Sequence, residues 1–180
     1  SMLIDETIAL SFQENIPFGT NLIFCAEDCQ FGIEICEDLW VPVPPSVEMC
    51  RNGAAIIANL CASNDPAGHP RSIRTLVEAN SRRCHCGYIL CNAGIGESST
   101  DVMFSGHQLI AEDGAMLAES APFAQPSLAI SEIDVQQLMI DRRKINSYPG
   151  GDAVPCVFFS MEQEETALTR VIPRDPWLPC

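Results

Sequence analysis

The chain has 180 residues, 47% of them hydrophobic and 19% charged, which excludes a disordered segment and leaves room for one domain with a sizeable core. A formal net charge of −14, from 24 acidic and 10 basic side chains, repels polyanions, so no nucleic-acid partner is expected. No apolar run approaches the ~18 residues of a membrane span, and no basic-then-apolar leader is present; a cytoplasmic protein without membrane contact is expected.

Ser1-Met2 reads as a processing scar. Asn21 to Cys25 is a short apolar strand followed by a turn at Asp28-Cys29, and Phe31 to Ile35 is a second strand running into Cys36-Glu37-Asp38. Pro42, Pro44 and Pro45 interrupt the backbone, and Pro45 can start a short helix through Cys50, ended by Asn52-Gly53. Ala54 to Leu60 reads as a buried strand, followed by a polar loop from Ala62 to Gly68. Ile73, Leu76, Val77, Asn80 and Cys84 recur at helical spacing and predict a helix from about His69 to Cys86. Tyr88 to Asn92 is the next strand. His107 to Glu112 and Ala115 to Glu119 flank Asp113-Gly114, a hairpin signal with positive φ at the turn. Ser127 to Ile133 reads as a further strand, and Asp134 caps a helix carrying Val135, Leu138, Met139 and Ile145 on one face. Residues 1–148 thus form the folded part. Residues 149–180, rich in Gly and Pro and running through Pro173-Arg174-Asp175-Pro176-Trp177, read as an extended arm.

Strands alternating with helices, plus one hairpin, give the α/β class with a layered sheet. Neither a G-x-G-x-x-G after a strand nor a P-loop occurs, so no nucleotide cofactor is expected on this chain. The 10 cysteines are too sparse for a secreted disulfide scaffold, and only Cys25 and Cys29 loosely fit a zinc clip. Reduced thiols and no metal are the expectation.

One cysteine stands apart. The run Gly32-Ile33-Glu34-Ile35 delivers Cys36 to a strand end just before a sharp change of direction. Such a strand fixes the sulfur, and the N–H groups that follow can face a developing oxyanion. On spacing alone, a buried structural thiol is the simpler reading.

The segment from Gly32 through Cys36-Glu37-Asp38-Leu39-Trp40 resembles the nucleophile motif of the carbon–nitrogen hydrolase (nitrilase) superfamily. More narrowly, it resembles the glutaminase domains of glutamine-dependent NAD synthetases. The likeness continues through Val41-Pro42-Val43-Pro44-Pro45-Ser46, Ala58-Asn59-Leu60-Cys61-Ala62-Ser63, Gly96-Glu97-Ser98-Ser99-Thr100-Asp101, Phe104-Ser105-Gly106-His107 and Glu112-Asp113-Gly114, over roughly residues 12–148. This resemblance implies a nitrilase-like αββα sandwich and hydrolysis of glutamine to glutamate and ammonia through a thioester on Cys36. It also implies that the Glu37 N–H helps to hold the oxyanion and that Glu37, Trp40 and Ser63 line the glutamine pocket. Read without it, those three are a loop charge, a core filler and a turn former.

The same resemblance implies a Glu and a Lys ahead of the nucleophile, yet no lysine precedes Cys36. Glu6, Glu14, Glu27 and Glu34 precede it, but none sits in a matching motif. The family's first half is therefore expected to be absent and the isolated chain inactive. Glu34, Glu37 and Asp38 place negative charge next to the sulfur, whereas a thiolate calls for a cation or base. The only lysine, Lys144, suits the end of its helix. The implied synthetase domain, with its ATP and magnesium, would follow Trp177. Implied partners are glutamine, that domain and further copies of the chain. A stand-alone amidase and a non-catalytic interaction module are the other readings.

Overall fold

Alternation along the strands sets the layers. The computed structural model describes residues 6–64, 69–125, 128–148, 150–152, 154–160 and 170. Ser1-Met2, residues 65–68 of the polar loop, Ser127 and the Pro173–Trp177 motif lie outside them. The central seven-stranded sheet comprises β3 (Ile23–Cys25), β4 (Gln30–Ile35), β5 (Ile56–Cys61), β6 (Gly87–Asn92), β7 (Gln108–Glu112), β8 (Ala115–Glu119) and β9 (Cys156–Phe158), in the order β8-β7-β6-β5-β4-β3-β9. The middle trio β4, β5 and β6 is parallel, with Ile33 opposite Ala58 and Ala58 opposite Ile89. β7 and β8 continue antiparallel on one side and β3 on the other. A separate antiparallel hairpin, β1 (Glu6–Leu10) and β2 (Gln13–Phe18), precedes the sheet.

One face of the sheet is sealed. Ile57, Asn59, Tyr88, Leu90, Leu109 and Ala111 are buried beneath α1 (Pro45–Arg51) and α2 (His69–Cys84), which contribute Met49, Cys50, Ile73, Val77 and Cys84. Prolines at the start of α1 match the fixed φ of a first helical turn. Residues one step along each strand point the other way: Ile33 and Ile89 are half-buried, while Ile35 and Leu60 are 54% and 53% exposed. Among the described residues the architecture is one sheet layer and one helix layer, half of an αββα stack.

Gly32 marks the tightest approach between the layers. A Cβ there would strike the Met49 sulfur and lie 3.2 Å from both Met49 Cβ and Ile57 Cδ1. Gly32→Ala is expected to cost about 1–3 kcal/mol through overpacking. Gly96→Ala, with nothing within 4 Å of the new carbon, should stay within about 0.5 kcal/mol. Thermal melts of the two variants check the contrast.

α3 (Val135–Lys144) begins at Asp134, whose carboxylate accepts from the Gln137 N–H at 2.9 Å. It is bound across the start of the parallel strands by Arg142, which donates to the carbonyls of Ala54 (2.7 Å), His85 (3.0 Å) and Cys50 (3.3 Å). Beside it, Cys50, Cys84 and Cys86 form a buried thiol cluster. Hydrogen bonds from Cys50 and Cys86, with Arg83 and Arg142 nearby, hold the Cys84 thiol below the usual range, while contacts with Cys50 and Cys84 push Cys86 up.

Several sequence expectations change. Residues 128–134 are not a strand: Leu128 and Ile130 are 70% and 75% exposed, and the Ala129 N–H donates to the Gln108 side chain rather than to a neighbouring strand. Ile145 lies just past the end of α3. The β1–β2 hairpin carries no Gly or Asn turn signal at Ser11-Phe12, and its apolar residues Ile8, Leu10 and Phe18 are exposed. Within the predicted arm, β9 adds a parallel edge strand beside β3. No helix among the described residues is long and apolar enough to cross a membrane.

Candidate active site

The parallel trio gives the sheet a polarity. Phe31, Ile56 and Gly87 align at its beginning, under α3; Ile35, Leu60 and Cys91 align toward its end. Open α/β sheets place reactive groups just past the carboxyl ends of their strands. Cys36, Ser63 and Asn92 all lie there.

Cys36 leaves β4 with φ +46°, a left-handed conformation that a β-carbon disfavours by about 1–2 kcal/mol. Such backbone outliers gather at functional sites because the surrounding fold must hold them. Three contacts do so here. The Asp38 carboxylate accepts from the Ile35 N–H at 2.8 Å and closes the turn. The Asn59 side chain donates to the Cys36 carbonyl at 3.4 Å, and the Cys61 thiol donates to the Cys36 sulfur at 3.5 Å. Cys36 to Trp40 then forms a single 3-10 turn, and the first N–H groups of such a turn have no partner inside it. The sulfur is half-buried at the mouth of this turn.

The predicted site residues come together in part. Glu37 is exposed and Trp40 is 38% exposed, both on the turn that Cys36 opens, while Leu39 between them anchors the turn in the core. Ser63 lies two residues beyond Cys61 and is half-buried. Asn92 clamps it: the Asn92 side chain accepts from the Ser63 N–H and donates to the Ser63 carbonyl, each at 3.0 Å. Lys144 is elsewhere, at the end of α3 and paired with Asp141 at 3.0 Å, on the helix that Arg142 binds to the start of the parallel strands.

The flanking acids differ from the sequence reading. Glu34 is buried and hydrogen-bonded away from solvent: it is 2% exposed, accepts from the Ser46 N–H at 2.9 Å and takes a hydrogen bond from the Tyr88 hydroxyl. Asp38 is committed to the turn. Asn59, Cys61 and Asn92 were not singled out from sequence for any role at this site. A polar side chain inside an apolar strand was the available signal, since buried polar groups require partners.

No family model matches the chain. Over 138 residues it is 37% identical to the glutamine-dependent NAD(+) synthetase of Mycobacterium tuberculosis, an alignment covering 74% of this chain and 20% of that protein. The chain is a relative of the glutamine-dependent NAD(+) synthetases. It spans about a fifth of the length of the curated relatives it matches. It superposes on the glutamine-dependent NAD(+) synthetase of Cytophaga hutchinsonii with a TM-score of 0.57 at 23% identity, covering 70% of this chain and 20% of that one. It also superposes on a carbon–nitrogen hydrolase from Helicobacter pylori G27, with a TM-score of 0.58 at 20% identity, covering 72% of this chain and 49% of that one. The fold is therefore that of the nitrilase-type carbon–nitrogen hydrolases, and this synthetase relative carries the part of that fold on which half the hydrolase superposes.

Proposed function

We propose that the chain is the nucleophile-bearing portion of a glutamine amidohydrolase, one that supplies ammonia for amidation of nicotinic acid adenine dinucleotide in a glutamine-dependent NAD synthetase. The observation that carries this reading is Cys36, held at φ +46° where a parallel strand becomes a 3-10 turn. In this reading the Cys36 sulfur attacks the side-chain carboxamide carbon of glutamine, and the oxyanion faces the turn's free N–H groups, Glu37 first. Collapse expels ammonia and leaves a thioester, which water cleaves to glutamate and the free thiol. Glu37, Trp40 and Ser63 border the pocket, with Ser63 held by Asn92. Residues 1–148 belong to the hydrolase portion, the segment that follows first adds β9 to its sheet, and ATP and magnesium act on a synthetase portion. Copies of the chain associate.

A general base and a cation near the sulfur are also required. Lys144 is committed to Asp141 on α3 and does not supply the cation. In this reading the base and the cation both come from outside this chain, and the isolated chain is inactive. The test uses the synthetase polypeptide that contains this segment. Cys36→Ala should lower glutamine-driven NAD formation by roughly 10⁴-fold or more, the usual scale for losing a nucleophile, while formation from free ammonia persists. The 180-residue chain alone should release no ammonia from glutamine above the buffer rate. Glutamine-driven turnover that survives Cys36→Ala would refute the reading.

A further inference from the structure

The second sulfur at the nucleophile has no part in that chemistry. Ile35 and Leu60 are register partners in the parallel pair β4–β5, so Cys36 and Cys61 each follow a paired residue by one position. Neighbouring strands run ~4.8 Å apart, within the ~4.4–6.8 Å between α-carbons that a disulfide accepts. The two sulfurs are 3.5 Å apart, so closure to the ~2.05 Å of a bond takes a small side-chain rotation. Their exposure is unequal: Cys36 is half-buried at the turn, whereas Cys61 is 8% exposed beneath it. An oxidant from solvent reaches Cys36 first, and Cys61 is the thiol waiting behind it. The nearest cysteine on β6, Cys91, is opposite Leu60 and points to the open face of the sheet.

We propose that Cys36 and Cys61 form a reversible disulfide, an oxidation site in which Cys61 resolves the oxidised nucleophile. With a hydroperoxide as oxidant, the Cys36 thiolate attacks the peroxide oxygen, giving a sulfenic acid and releasing hydroxide, or from an alkyl peroxide an alkoxide that takes a proton from water to become the alcohol. The Cys61 sulfur then attacks the Cys36 sulfur, the S–O bond breaks, water leaves with the Cys61 proton, and the S–S bond forms. A dithiol restores both thiols and is itself oxidised to a disulfide. The bond shields Cys36 from irreversible sulfinic acid and removes the lone pair that attacks glutamine. That second consequence rests on the glutaminase reading; the bond itself does not.

The test treats the 180-residue chain with hydrogen peroxide at about pH 8.5, where a thiol ionises in part without a neighbouring cation, blocks remaining thiols by alkylation and maps peptides by mass without reduction. The expected result is a Cys36–Cys61 linked pair, two hydrogens lighter than the separate peptides and released by dithiothreitol. In Cys61→Ser, with folding checked by circular dichroism, the link should vanish and Cys36 should be captured by dimedone as sulfenic acid. Wild-type Cys36 recovered as free thiol after excess diamide, as sulfinic acid without a link, or joined to another cysteine would each overturn the proposal. Because the readout is mass rather than turnover, the disulfide can fail with the glutaminase intact, and the reverse.

Discussion

Arg142→Ala should destabilise this domain by about 3–5 kcal/mol, a large share of the ~5–15 kcal/mol that holds a typical domain folded. The guanidinium is 6% exposed, donates to three backbone carbonyls and sits 5.5 Å over the Tyr148 ring. Each hydrogen bond from a charged donor contributes about 1.5–3 kcal/mol, and the three are not additive because they share one group. The carbonyls belong to three separate places: the last turn of α1, the entry to β5 and the turn after α2. Removing the side chain therefore unties α3 from all of them at once. Arg142→Lys should recover less than half of the loss, since an ammonium lacks the planar fork that reaches the three acceptors together. Urea titrations of the wild type and both variants test this; an Arg142→Ala loss below about 1 kcal/mol would show that α3 is held by its apolar side, through Leu138, instead.

Glu34→Ala should cost about 2–5 kcal/mol for a related reason. It leaves two buried donors, the Ser46 N–H and the Tyr88 hydroxyl, without their acceptor, at about 1–3 kcal/mol each. The network extends further, because the Asn80 side chain donates to the Ser46 hydroxyl at 2.9 Å and so links α2 to α1. The same contact predicts a pH dependence. Burial, then the neighbouring Glu34 charge, holds the Tyr88 hydroxyl above the ordinary tyrosine value. A group raised in the folded state contributes its full stability below the unfolded pKa, about 10, and loses it as pH rises beyond that. Stability should therefore fall above about pH 10, and Tyr88→Phe should flatten that limb while lowering stability at neutral pH. Urea midpoints taken from neutral to alkaline pH for both proteins measure it. An equally steep alkaline limb in Tyr88→Phe would assign the effect to other groups.

Much of the fold was legible because its signals are local. The run Phe31 to Ile35, the α2 spacing from Ile73 to Cys84, the Asp134 cap and the Asp113-Gly114 turn, now at φ +48° and +86°, each depend on residues a few positions apart. Where local pattern failed, the missing ingredient was a partner. Residues 128–133 alternate like a strand, but the position beside β7 is already occupied by β6 and β8. β9 is too short to announce itself and exists because β3 offers an open edge.

The site divides along the same line. From sequence alone came Cys36 as a candidate nucleophile, its place at the end of a strand and the turn that follows, because one continuous segment carries all three. The tertiary structure decided what surrounds the sulfur: Cys61 lies 25 residues away in the chain and 3.5 Å away in space. It also decided that Glu34 is a buried acceptor for Ser46 and Tyr88 and that Lys144 pairs with Asp141 on α3. Those outcomes depend on which strands pair and in what register. Register is set by burial of the whole sheet face against α1 and α2, a sum over distant residues that no short motif contains.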